Sequence, residues 1–88
     1  MMNYKSTSDL LRNNGFVLTN TCDMGGETYH DFNSRKKDAC IALVVDNMTG
    51  SVKWVEVSTR KWDSSMGRYI PSTKKLYALA DVVEMFRK

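Results

Sequence analysis

The run Ala39-Cys40-Ile41-Ala42-Leu43-Val44-Val45 is the longest apolar stretch in the chain, and it limits what the protein can fold into more than any other segment. Seven residues is strand length, and apolar side chains at both parities place the run centrally in a sheet. The following Asp46-Asn47-Met48-Thr49-Gly50-Ser51 is turn chemistry, so Val52 to Ser58 reads as the return strand of a hairpin. With Asn47 to Gly50 as the loop, Leu43 faces Trp54 and Ala42 faces Val55. One face then gathers Ile41, Leu43, Val45, Val52 and Trp54, and the other Cys40, Ala42, Val44, Val55 and Val57. A slip of one residue would mix these faces.

Two more strands are expected before this hairpin. Phe16 to Cys22 is rich in β-branched and aromatic residues, Asp23-Met24-Gly25-Gly26 is a turn, and Glu27 to Phe32 is a more polar strand. Asn33 to Asp38 reads as a basic loop carrying Arg35, Lys36 and Lys37. Upstream, Ser6 and Asp9 resemble a capping box, and Gly15 fits the left-handed residue that closes a helix, which predicts a short helix over 7–14. Downstream, Thr59 to Ile70 reads as a loop, or a loop with one edge strand. Pro71-Ser72-Thr73 then opens a longer helix whose apolar face is Leu76, Leu79, Ala80, Val83 and Phe86, with Arg87 and Lys88 suited to its C-terminal dipole.

The expected architecture is therefore α+β: a single domain over residues 1–88, with a four-stranded antiparallel meander flanked by a short N-terminal and a longer C-terminal helix. The helices most simply cover one face. The apolar parity of the third strand also allows one helix per face, or a partner on the second face.

No run approaches the ~20 apolar residues of a membrane span, and Met1 to Asp9 has no apolar stretch like that of a secretory signal. The expected compartment is cytoplasmic. Cys22 and Cys40 are then two reduced, buried thiols, with a disulfide between neighbouring strands as the alternative. His30 is the only histidine and no C-x-x-C occurs, so neither a metal site nor a cofactor is expected.

Charge is uneven. Residues 1–34 carry two basic against four acidic side chains (−2), and residues 35–88 eleven against six (+5). The basic excess concentrates in Lys53, Arg60, Lys61, Arg68, Lys74 and Lys75, interleaved with Trp54, Trp62 and Tyr69. Cations beside flat rings suit single-stranded nucleic acid, and Trp, Tyr and Arg are also the residues enriched at protein–protein hot spots. Trp62, between Lys61 and Asp63, is the ring expected in solvent. The weak catalytic candidate is His30 beside Asp31, but neighbours on a strand point to opposite faces, which separates them.

Ser8-Asp9-Leu10-Leu11-Arg12-Asn13-Asn14-Gly15-Phe16-Val17-Leu18, followed by Gly25-Gly26 and His30, resembles HicA-type toxins over about the first third of the chain. The resemblance implies a small ribonuclease with a double-stranded-RNA-binding-like fold and a catalytic histidine. Here Glu27-Thr28-Tyr29 intervene between Gly26 and His30.

From the residues themselves the expected function is non-catalytic. It is a binding or inhibitor-type protein, in the style of those encoded by phages and mobile elements, that recognises a protein or nucleoprotein through Lys53, Arg60, Lys61, Trp62, Arg68, Tyr69, Lys74 and Lys75. Direct nucleic-acid binding by the same residues is the alternative, HicA-like cleavage comes after it, and a homodimer is possible.

Overall fold

Short polar caps and alternating strands dictate most of the chain's elements. The computed structural model describes residues 2–34, 36 and 39–87. Their order is β1 (Met2–Asn3), α1 (Tyr4–Asn13), β2 (Val17–Asp23), β3 (Glu27–Ser34), β4 (Ala39–Asp46), β5 (Ser51–Asp63), β6 (Arg68–Leu76) and α2 (Leu79–Met85). The result is a small α+β protein with a six-stranded antiparallel sheet and two helices. Strands β2 to β6 form a meander in chain order, and β1 joins β5 ahead of β6 on the same edge. Arg35, Lys37 and Asp38 of the expected basic loop lie outside the described residues, as does Lys88, while Asn33 and Ser34 belong to β3.

Helix α1 begins earlier than its sequence signal. Asn3, not Ser6, is the N-cap, and its side-chain oxygen accepts from the Ser6 amide at 3.2 Å. The face Tyr4, Thr7, Ser8, Leu11 turns inward. The buried hydroxyls of Thr7 and Ser8 donate to the carbonyls of Asn3 and Lys5, so no polar atom is stranded. The other end closes as expected. Gly15 sits at φ +86°, its amide donates to Arg12 O and that of Phe16 to Leu11 O, which is a Schellman closure with Phe16 and Leu11 both buried.

The expected hairpin register holds next to the turn, at Val45↔Val52, and slips by one residue beyond it. β4 pairs with β5 through Val45↔Val52, Val44↔Trp54, Leu43↔Val55 and Ile41↔Val57, with an irregularity at Val44/Val45. Lys53 is the extra residue of a β-bulge. Because it is passed over, Val52, Val55 and Val57 share a face with Val45, Leu43 and Ile41, and Trp54 moves to the opposite face beside Val44. Sequence alternation alone could not show this, since it assumes an unbroken period of two.

The region after Thr59 also differs from expectation. β5 runs on to Asp63, and β6 returns along it through nine pairs, from Asp63↔Arg68 to Val55↔Leu76. Pro71-Ser72-Thr73 is strand, not a helix start. Pro71 is tolerated because β6 is an edge strand whose missing amide need not face a neighbour. Lying along β5, the strand brings Leu76 beside Val55, both buried. The C-terminal helix is therefore the shorter one, seven residues against ten in α1. Its buried face is Val82 with the partly buried Met85 and Phe86. Leu79 and Val83, assigned inward by the sequence pattern, are 38% and 46% exposed.

Both helices cover one face of the sheet. Leu11, Phe16 and Val82 join Phe32, Ile41, Leu43, Val45, Val52, Val55, Val57 and Leu76 in one core cluster, and the rings of Phe16 and Phe86 meet edge-on at 5.8 Å. On the open face, Val44 is buried between Tyr29 and Trp54, its cross-strand neighbours. No helix among the described residues is long and apolar enough to cross a membrane. Val82→Ala should lower stability by about 2 kcal/mol, roughly a 10 °C drop in Tm, whereas Val83→Ala should change it by less than about 0.5 kcal/mol. Thermal melts of the two variants check the corrected face.

Candidate interaction surface

Strand β4 pairs with β5 only as far as Thr59. Beyond it, Arg60 to Asp63 pair with Arg68 to Pro71 alone among the described residues, so the β5–β6 hairpin continues as a two-stranded arm. The molecule is correspondingly long, with extents of 44 × 30 × 21 Å.

The arm's turn is built from one carboxylate. Asp63 Oδ1 accepts from the amide of Ser65 (2.9 Å), its hydroxyl (2.6 Å) and the amide of Met66 (3.3 Å). The Gly67 amide closes onto Asp63 O at 2.8 Å, with Gly67 at φ +63°. The Ser65 hydroxyl, then the two amides, hold the Asp63 carboxyl below its ordinary pKa of 3.8.

Pairs directly opposite on the ladder share a face. Trp62↔Tyr69 and Arg60↔Pro71 lie on the open face, as do Glu56↔Lys75 nearer the body. Lys61↔Ile70, Asp63↔Arg68 and Val57↔Lys74 lie on the helix side. Trp62 and Tyr69 are 59% and 58% exposed and meet edge-to-face at 5.2 Å between ring centres. Each ring thus supports the other and still shows more than half its surface to solvent. Arg60, Lys61 and Arg68 against Asp63 give the arm a net charge of +2.

The residues expected to act together are only partly brought together. Arg60, Trp62 and Tyr69 form one block. Lys61 and Lys74 line a groove of about 710 Å³ against α2, where Asp81 and Glu84 face them. Lys75 lies over the Trp54 ring at 4.7 Å. Lys53 is nine residues from Trp62, roughly 30 Å along the strand, where it pairs with Glu27 at 2.9 Å and lies 5.5 Å from the Trp54 ring. Hydrogen bonding to Glu27 raises the Lys53 pKa. Trp54 is half-buried, donates to Glu56 Oε1 at 3.0 Å and tilts against Tyr77 at 6.4 Å, so it belongs to the body of the sheet.

His30 lies on the helix side. Its ring is 4.7 Å from that of Tyr4, and its Nδ1 is 3.4 Å from Thr21 Oγ1. Burial lowers its pKa below 6.5 against the opposing pull of Asp31, which sits at the other parity beside Ala42. Cys22 and Cys40 are free thiols on β2 and β4, but not buried ones: Cys22 is exposed on the edge strand and Cys40 half-buried. They are separated by β3 and offset along the ladder, so the disulfide between neighbouring strands does not fit. Among the described residues, no three of His, Cys, Asp and Glu cluster to hold a metal ion.

No family model matches the chain, and no curated protein or solved structure matches it either.

The sign of the Asp63 shift sets a pH dependence for the arm. A depressed folded-state pKa contributes order that is complete above the unfolded value and is lost as pH falls through the depressed one. The Ser65 and Met66 amide resonances should titrate together below pH 3.8, and Asp63→Ala should abolish that titration and the Trp62–Tyr69 ring contact in NMR spectra.

Proposed function

We propose that this chain is a non-catalytic binding protein that docks on a protein or nucleoprotein partner through the open face of the β5–β6 arm. The observation that carries the reading is the pair of rings, Trp62 and Tyr69, each nearly 60% exposed on one face of a projecting ribbon. Arg60 and Pro71 complete the block. This is hot-spot composition: large rings with little conformational entropy to lose, flanked by arginine.

The magnitudes favour a block over a single ring. Burying the exposed parts of both rings, about 250 Å², is worth roughly 6 kcal/mol gross. Association itself costs about 4–15 kcal/mol, so the rings need the neighbouring Arg60 and Pro71 to yield net affinity. A net positive arm selects a partner with an acidic surface. On affinity capture from the native host, the species retained by wild type should be lost with Trp62→Ala and with Arg60→Ala, while Tm moves by only a few degrees. Retention by both variants would remove the reading.

One observation favours direct nucleic-acid binding instead: cations occupy both faces of the arm, Arg60 on one and Lys61 and Arg68 on the other. Asp81 and Glu84 opposite Lys61 and Lys74 work against it by offsetting part of that charge. Oligonucleotide binding and its salt dependence decide between the readings. Five phosphate contacts would give a slope of log K against log salt of about −4, whereas the protein-docking reading expects no binding of duplex or single-stranded oligonucleotides, measured by titration of tryptophan fluorescence.

A further inference from the structure

Among the described residues the sheet ends in two long unpaired edges, β2 and β6. They are defended differently. β6 carries Pro71, Lys74 and Lys75, the residues that discourage a further strand from pairing. β2 is Val17-Leu18-Thr19-Asn20-Thr21-Cys22-Asp23: it has no proline and no cation, its one charge is at the end, and all seven residues are exposed. Its bulge is the remaining guard, and that is turned inward: Thr19 Oγ1 donates to Asp31 O at 3.3 Å and accepts from Asn33 Nδ2 at 2.6 Å, both on β3.

We infer that β2 is a self-association edge, along which a second copy of this chain adds its own β2 antiparallel about a two-fold axis near Asn20. The strand carries no charge at its centre: the two Asn20 side chains meet at the axis, and Thr21 lies across from Leu18 of the second copy. The two Asp23 carboxylates end about 20 Å apart, beyond the ~8 Å screening length. Passing over the bulged Thr19, this register sets Cys22 across from Val17 of the second copy and Met24 beside its Gly15.

That last contact joins two otherwise unexplained features. Met24, just past one end of β2, is 65% exposed, with its sulfur 3.5 Å from Cys22 Sγ. At the other end lies a mainly apolar hollow of about 540 Å³ bordered by Gly15, Val17, Thr19, Asn33, Ser34 and Lys36. A two-fold axis at the strand centre delivers each Met24 to the other copy's hollow, and the thioether is suited to filling an irregular space. A closed two-fold dimer uses both edges at once and leaves no β2 edge for further growth.

An interface built on one short strand is small, so a reversible dimer dissociating at about 10–500 µM is expected. Analytical ultracentrifugation over that span should show wild type passing from monomer to dimer. Asn20→Lys, which sets two cations face to face, and Met24→Lys, which puts a cation into the hollow beside Lys36, should each stay monomeric. Both positions are exposed, so both variants should keep the melting temperature of the dilute wild type. A wild type that stays monomeric throughout would overturn the inference, and so would a dimer that survives both substitutions. Neither result bears on the arm, whose residues are untouched.

Discussion

Between Val44 and Val45 the β4–β5 ladder takes in one more residue on β5 than on β4, and that residue is Lys53. The parity of everything after it depends on this bulge. Upstream, Val52 lies over the core. Downstream, Val55 and Val57 return to the same face, so three valines of β5 meet Ile41, Leu43 and Val45 under the helices. An unbroken ladder would put Trp54 in that core and turn Val55 and Val57 outward. The Lys53 side chain reaches across to Glu27 on β3, tying the bulge to the sheet on the open face.

The same half-turn reaches the far end of the molecule. Trp54, Glu56, Ser58, Arg60 and Trp62 alternate along the open face because the bulge put Trp54 there. The candidate surface is thus connected to the core by strand parity, not by proximity. Removing the bulge would rotate Trp62 and Arg60 toward the side where Lys61 and Lys74 now line the groove with Asp81 and Glu84. Burial of valine in the body and the face that tryptophan takes on the arm are two outcomes of one inserted residue.

Legibility in the sequence was uneven for physical reasons. Gly15 announced the end of α1 because a left-handed closure has few residues that fit it. The strands at β2, β3 and β4 showed through β-branched and aromatic content between turn residues. The C-terminal third misled. Leu76, Leu79, Ala80, Val83 and Phe86 match a helical face, yet Leu76 is buried at the end of a strand and Val83 stands in solvent. Ser-Thr after Pro71 looks like a helix start only while the outer edge of β5 is ignored, and β6 gains nine paired residues by occupying it. Of the surface residues, Trp62 was readable from its charged flanks. That Tyr69 stands opposite it, and Lys53 far from it, needed the hairpin.

By itself the amino-acid sequence determined an α+β chain with an antiparallel meander, its main turns, and a basic, aromatic stretch between residues 53 and 75, because these rest on local propensity and on spacing along the chain. Only the tertiary structure decided which face each side chain occupies, that residues 68–76 are strand, and that Trp62 and Tyr69 form one exposed pair. Those outcomes depend on a bulge and on the pairing of edges distant in sequence. Their free energy comes from a neighbouring strand, and no window of the sequence contains it.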